Sequence, residues 1–143
     1  MTVKDTLKQA EMFAGLSDEV LDRIAALATL ETFEEGDKVY ELGDDAADMY
    51  VVETGRIRFA LGVGNRDGGG SIMTKGMAFG WAALLESKPR RVATAACLED
   101  STVYRIPAAP LLQLFADNTQ GGYRVMRRLA TIVARDFMSV LAV

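Results

Sequence analysis

The sequence FGWAALLESKPRRVAT, residues 79–94, places a glycine, a short apolar segment and two adjacent arginines between stretches typical of β-strands. Gly80 allows the backbone to approach a ligand closely. The residues after it are predicted to open a helical turn whose first N–H groups have no intrahelical acceptor and, with the helix dipole, suit a phosphate. Pro89 ends this helix, and an arginine beyond it can supply a charged fork of N–H donors. The pattern therefore predicts an anion-binding site.

The same residues also allow a structural interpretation. A short helix between strands can begin with glycine for geometric reasons alone. Arg90 and Arg91 would then be two solvated surface charges. The local pattern does not separate this interpretation from an anion site.

Length and composition predict one globular domain. A chain of 143 residues can bury about two-thirds of its unfolded surface around a single core. No apolar run approaches the ~20 residues that span a bilayer, and Lys4, Asp5 and Lys8 interrupt any secretory signal at the N-terminus. The single cysteine, Cys97, cannot form an internal disulfide. We therefore expect a cytoplasmic protein without a membrane segment.

The chain has no histidine, which is the commonest general base and a common metal ligand. With only one cysteine as well, zinc sites and Ser-His or Cys-His catalysis are excluded. Glu86 is the one acidic residue in the 79–94 segment and is more simply a surface charge. We expect no enzymatic activity, no metal and no cofactor.

Charge is distributed unevenly along the chain. Residues 1–55 hold 14 acidic and 4 basic side chains, whereas residues 56–143 hold 6 and 12. The overall charge of −4 disfavours direct nucleic-acid binding, because phosphate contacts supply most of that affinity. The basic half suits a small anionic ligand, or attraction between the two halves of the fold.

Hydrophobic periodicity changes along the chain. Residues 3–14 resemble a short helix, and a clearer helix follows Ser17, a good N-cap. From Leu30 the period becomes that of strands, separated by glycine- and aspartate-rich turns. The segment 62–70 has five glycines and is predicted to be a hairpin loop; a phosphate-binding loop is the alternative, disfavoured because no GK[ST] follows.

The last segment, from Tyr123 to about Leu141, is the longest predicted helix, and it has two apolar edges. One edge contains Val125, Leu129 and Ile132, and the other contains Met126, Ala130, Val133, Phe137 and Val140. A helix that is apolar on two sides needs two surfaces to pack against. We expect these to be the strand domain and the same helix of a second chain, giving a homodimer.

These patterns predict a mainly β fold with flanking helices, a double-stranded β-helix or jelly-roll barrel. The whole chain, 1–143, would form one domain. It would consist of N-terminal helices in 1–28, a β-roll in 29–106 that contains the 79–94 segment, and C-terminal helices in 107–143. Ligands of barrels bind in the interior or at the mouth, so the helix that interrupts the strands after Gly80 marks the expected pocket.

The sequence resembles the cyclic nucleotide-binding domain family, the sensor module of cAMP-responsive transcription regulators, cyclic-nucleotide-dependent kinases and gated channels. Turn glycines and an inward tyrosine fall at the family's positions, and residues 79–94 resemble its phosphate-binding cassette. The matching residues are Gly36, Gly43, Tyr50, Gly55, Gly76, Phe79-Gly80, Ala83-Leu84-Leu85, Pro89, Arg91 and Ala93-Thr94. The resemblance implies the jelly-roll fold and a regulatory role, with cAMP or cGMP as ligand.

The resemblance also implies roles for the site residues. Arg91 would pair with the cyclic phosphate, with Arg90 as the alternate, and backbone N–H groups from Gly80 through Trp81 and Ala82 to Ala83 would complete the cradle. The base would lie near Ser139 to Leu141 of the last helix. Val92 stands where the family often has a small polar residue.

One departure from the family pattern leaves two functions open. Trp81 replaces the glutamate that accepts hydrogen bonds from the ribose, at a cost of roughly 1.5–3 kcal/mol. The chain is therefore expected to be either a sensor that binds a cyclic nucleotide or another small anion, or a degenerate module in which Trp81 fills the pocket and which serves interaction or dimerisation. A chain ending at residue 143 has no room for a helix-turn-helix, so we expect output through a partner or self-association.

Overall fold

The structure, a computed structural model, describes residues 2–60, 71–85 and 89–141, with side chains described as far as residue 138. The predicted fold class is confirmed, since two antiparallel sheets are flanked by helices at both ends of the chain. The predicted hairpin loop at 62–70 and Glu86 lie outside the described residues, as do the side chains of Ser139 to Leu141.

The strands form two four-stranded sheets of a jelly roll, with every pairing antiparallel. The first sheet has the order β1-β8-β3-β6 and the second has the order β2-β7-β4-β5. The strand bounds are β1 Thr29–Phe33, β2 Lys38–Tyr40, β3 Asp48–Thr54, β4 Ile57–Ala60, β5 Ile72–Met73, β6 Ala78–Phe79, β7 Thr94–Cys97 and β8 Ser101–Pro107. Tyr50 of β3 is paired with Phe79 of β6, which fixes the start of the 79–94 segment on the first sheet.

Four α-helices flank the sheets: α1 Val3–Gln9, α2 Asp18–Leu27, α3 Ala108–Asp117 and α4 Thr119–Leu141. Ser17 caps α2 as predicted, its hydroxyl accepting the Val20 N–H at 3.2 Å. The helix predicted over 3–14 is interrupted at Ala10, whose extended backbone separates α1 from a 3₁₀ helix at Glu11–Phe13. In the part of the chain that the structure describes, no helix has both the length and the apolar character needed to cross a bilayer.

The last helix begins at Thr119 and not at Tyr123 as predicted. Two consecutive glycines at 121 and 122 disfavour a helix in the sequence, but tertiary packing favours glycine here. A Cβ on Gly122 would lie 2.8 Å from the Cβ of Phe115, so its absence lets α3 and α4 approach closely.

The two apolar edges of α4 have different environments. Val125, Leu129 and Ile132 are buried in the core that also holds α1, α2 and α3. On the other edge Val133 is partly buried, whereas Phe137 is 61% exposed.

Polar contacts tie α4 to the N-terminal 3₁₀ helix. Arg128 donates to the backbone oxygen of Glu11 at 3.0 Å, and Arg135 donates to the Glu11 carboxylate. The bond from Arg135 lowers the pKa of Glu11. One residue of the N-terminal segment therefore holds α4 at two positions two turns apart.

Candidate functional site

Gly80 initiates the predicted short helix, which is a 3₁₀ helix at Trp81–Leu84. Its backbone is left-handed, with φ of 77°, and a Cβ at this position would lie 3.0 Å from Nη1 of Arg91. The first N–H groups of the helix, those of Trp81 and Ala82, have no intrahelical acceptor. Ala83 was expected to contribute to the same cradle, but its N–H donates to the oxygen of Gly80. The turn therefore requires glycine. Of the backbone N–H groups expected to form the cradle, those of Trp81 and Ala82 have no acceptor within the helix.

Arg91 is buried, with 5% of its surface exposed. Its Nη1 donates to the oxygen of Gly80 at 3.0 Å and its Nη2 to the oxygen of Asp48 at 2.6 Å. The guanidinium carbon lies 4.1 Å from the ring centroid of Tyr40, a cation–π contact. The Nε is also buried and has no hydrogen-bond partner among the described residues. A fixed positive charge is thus held inside the fold, and among the described residues its Nε has no acceptor.

Arg90, the predicted alternate, points to the surface. Its side chain is 68% exposed, forms an ion pair with Asp45 at 3.5 Å and donates to the oxygen of Gly43. The interpretation of the two arginines as solvated charges therefore holds for Arg90 and not for Arg91.

A cavity of about 240 Å³ lies beside Arg91. Of the predicted site residues, Gly80, Trp81, Ala82, Arg91 and Val92 line it, whereas Ala83 and Arg90 do not. Among the described residues, the cavity is also lined by Tyr40, Phe59, Ser71 and Ala93 from the β-roll, and by Val133, Asp136 and Phe137 from α4. Trp81 therefore forms part of the cavity wall and does not fill the cavity.

Trp81 connects this wall to α4. Its indole Nε1 donates to a carboxylate oxygen of Asp136 at 3.0 Å. Burial raises the pKa of Asp136, against the opposing effects of the Trp81 hydrogen bond and of Arg135. The residue that replaces the family's ribose-binding glutamate thus uses its one side-chain donor within the protein.

Residues of α4 that line the cavity lie before the predicted contact region in the sequence. Val133, Asp136 and Phe137 line it, whereas Ser139 to Leu141, where the base was expected, have no described side chains. Asp136 was not predicted, because an acidic residue beside the apolar stripe of a helix is usually solvated. Tyr40 was also missed, and burial raises the pKa of its hydroxyl.

The described residues thus form a jelly-roll domain that buries an arginine behind a glycine-led 3₁₀ helix. Comparison with known proteins identifies the family. Residues 30–118 match the cyclic nucleotide-binding domain, and the chain belongs to this family.

The similar proteins include a regulatory subunit of a protein kinase and an enzyme. The chain is 30% identical over 100 residues to a cAMP-dependent protein kinase regulatory subunit of Candida albicans, matching 70% of this chain and 21% of that protein. It is 29% identical over 128 residues to Glutaminase 1 of Bradyrhizobium diazoefficiens, matching 90% of this chain and 20% of the enzyme. The chain thus spans about a fifth of the length of the curated relatives it matches.

The fold agrees with that of solved structures. The sensor domain of the transcriptional regulator DNR from Pseudomonas aeruginosa has a TM-score of 0.78 at 21% identity, covering 92% of this chain and 89% of that chain. The matched domain is regulatory, which is consistent with the prediction of a non-enzymatic chain.

Proposed function

We propose that this chain is a ligand-sensing module that binds cAMP, cGMP or another small anion in the cavity and signals through α4. The observation that carries this proposal is the buried guanidinium of Arg91, which lines the cavity and retains an unpartnered Nε. A buried charge is costly unless it is paired. A ligand anion in the cavity would pair with this charge through charge-assisted hydrogen bonds.

The other site residues have supporting roles in this proposal. The left-handed turn at Gly80 brings the 3₁₀ helix close to Arg91, and the N–H groups of Trp81 and Ala82 complete the anion cradle. Val92, which is 49% exposed, forms part of the cavity rim. Arg90 binds no ligand and holds the neighbouring loop through Asp45.

Signal transmission follows from the contact between the cavity wall and α4. A ligand that displaces the indole of Trp81 removes the hydrogen bond to Asp136 and changes the position that α4 prefers. Differential contacts of this kind are required for a ligand to shift a conformational equilibrium.

Trp81 is the only tryptophan, so intrinsic fluorescence reports directly on the cavity. We would titrate the wild type, Arg91→Gln and Arg90→Gln with cAMP and with cGMP. The proposal predicts a saturable change in the wild type and in Arg90→Gln that is lost in Arg91→Gln. No response up to millimolar nucleotide in the wild type would reject the cyclic-nucleotide form of the proposal.

A second candidate is a degenerate module that has lost nucleotide binding. The hydrogen bond between Trp81 and Asp136 favours it, because α4 is held against the cavity wall without a ligand. The missing glutamate removes an acceptor worth roughly 1.5–3 kcal/mol. A small molecule retained by the purified protein, detected by native mass spectrometry, would reject this candidate.

We also propose that the chain forms a homodimer through α4, that it does not bind nucleic acid directly, and that it is cytoplasmic. The exposed part of the second apolar edge, which includes Ala130 and Phe137, supports self-association. Sedimentation equilibrium of Ala130→Glu should show monomers, whereas Thr131→Glu, on a different exposed face, should remain dimeric. A monomeric wild type at high concentration would exclude this interface.

A further inference from the structure

The walls of the cavity differ in chemistry from a sugar-binding site. Apart from Arg91 and Asp136, its larger walls are the side chains of Tyr40, Phe59, Trp81 and Phe137. The indole N–H of Trp81 is already bound to Asp136. Sugar hydroxyls placed against the faces of these rings would lose water partners that the rings cannot replace. Aromatic ligands, by contrast, would gain ring contacts.

Cavity size points to a ligand smaller than a nucleotide. Drug-sized ligands occupy pockets of about 300–1,000 Å³. The cavity here measures about 240 Å³. An apolar cavity of roughly 150 Å³ can hold one benzene ring. The space beside Arg91 therefore fits one ring with a short charged arm.

The two charged groups of the cavity restrict the charge of that ligand. Arg91 is buried and carries a positive charge, so it favours an anionic group on its side of the cavity. Asp136 is half-buried on α4 and adds negative charge to the same cavity. A second negative charge on the ligand would meet this carboxylate in a poorly solvated space. One negative charge therefore suits the cavity better than two.

We propose that the cavity takes a small aromatic monocarboxylate, with the carboxylate on Arg91 and the ring against Tyr40, Phe59 and Trp81. This inference rests on the proposed function, because it names the ligand class of the same pocket. The carboxylate pairs with the buried positive charge of Arg91, and the ring contacts apolar walls against which ribose hydroxyls would lack partners.

Thermal unfolding of the wild-type chain tests this inference with four probes: phenylacetate, the neutral phenylacetamide, acetate, and cAMP. We expect phenylacetate to raise the melting temperature in a saturable way and to bind at least about tenfold more tightly than phenylacetamide, because only the acid forms a charge-assisted bond. Acetate, which lacks the ring, should also bind at least about tenfold more weakly. Equal binding of the acid and the amide would contradict the proposed pairing of the ligand carboxylate with Arg91.

Matched variants and the nucleotide distinguish this inference from the proposed function. Arg91→Gln should lose phenylacetate binding, whereas Arg90→Gln should keep it. If Arg91→Gln does not fold, the comparison of acid and amide on the wild type decides alone. Binding of cAMP without phenylacetate would overturn this inference and leave the ligand-sensing proposal intact. Binding of none of the probes would overturn this inference together with the cAMP form of the proposed function.

Discussion

The indole Nε1 of Trp81 donates a hydrogen bond of 3.0 Å to the carboxylate of Asp136, and both residues line the cavity. This bond joins the 3₁₀ helix that follows Gly80 to the last helix of the chain, 55 residues further along the sequence. The cavity wall formed by the 3₁₀ helix is therefore bonded directly to the wall formed by α4.

Trp81→Phe removes the N–H donor and keeps an aromatic ring. We expect a loss of about 1 kcal/mol in the free energy of unfolding, the usual worth of one hydrogen bond, since Asp136 remains partly solvated. Amide hydrogen exchange in α4 around residues 133–138 should become faster. Urea denaturation and hydrogen-exchange mass spectrometry measure the two effects.

Tyr123→Phe is the control for this experiment. Tyr123 lies on the same helix, is 66% exposed and does not line the cavity. Its replacement should change neither stability nor exchange. Equal exchange in the wild type and in Trp81→Phe would show that the hydrogen bond does not hold α4.

The ionisation of Asp136 should be visible in the pH dependence of stability. Burial raises its pKa above 3.8, so the folded state holds the proton more tightly and the carboxylate weakens the fold as pH rises through the folded pKa. Asp136→Asn keeps an acceptor for Trp81 but cannot ionise. Its stability relative to the wild type should therefore increase between pH 3.8 and neutrality. Parallel stability curves for the two proteins would contradict this assignment.

Gly80→Ala should destabilise the chain and weaken ligand binding. A non-glycine residue in the left-handed region costs roughly 1–2 kcal/mol. At Gly80 the added Cβ would also lie 3.0 Å from Nη1 of Arg91 and 3.1 Å from the ring of Tyr50. Gly36→Ala is the matched control, because Gly36 has φ of 88° and no heavy atom within 4 Å of the added Cβ. Chemical denaturation should show the larger loss for Gly80→Ala, and equal losses would refute crowding at Arg91.

The two neighbouring arginines should differ in their contribution to stability. Arg91→Gln removes buried donors from the oxygens of Gly80 and Asp48, and we expect a loss of about 2 kcal/mol. Arg90→Gln removes a solvated ion pair with Asp45 and should change stability by less than about 0.5 kcal/mol. Urea denaturation of both variants measures the difference. A greater loss in Arg90→Gln would reverse the assignment of the inward arginine.

The sequence alone predicted the β-roll, the cap at Ser17 and the turn at Gly80, because each depends on local periodicity or on backbone conformation. It could not decide which arginine faces inward, since Arg90 and Arg91 are adjacent and equally charged. That choice depends on Asp48 and Tyr40, which lie more than 40 residues away in the chain and contact Arg91. The family resemblance named Arg91 first, but the contacts with Asp48 and Tyr40 come only from the tertiary structure.

Asp136 shows a second limit of sequence reasoning. On α4 it is an isolated acid beside an apolar stripe, and such residues are usually solvated. Only the fold places it against Trp81. The start of α4 was placed too late for a related reason, because the glycine at 122 serves the packing of Phe115 and does not end a helix.

The contacts of Arg128 and Arg135 on α4 with Glu11 determine which movements of this helix require little energy. A rotation of α4 about its own axis breaks the contacts of both Arg128 and Arg135, whereas a displacement that carries the 3₁₀ helix along keeps both. The N-terminal 3₁₀ helix and α4 are therefore expected to move together. If a ligand shifts α4 as proposed, a spectroscopic label attached near Glu11 would report on the occupancy of the cavity from the N-terminal side of the domain.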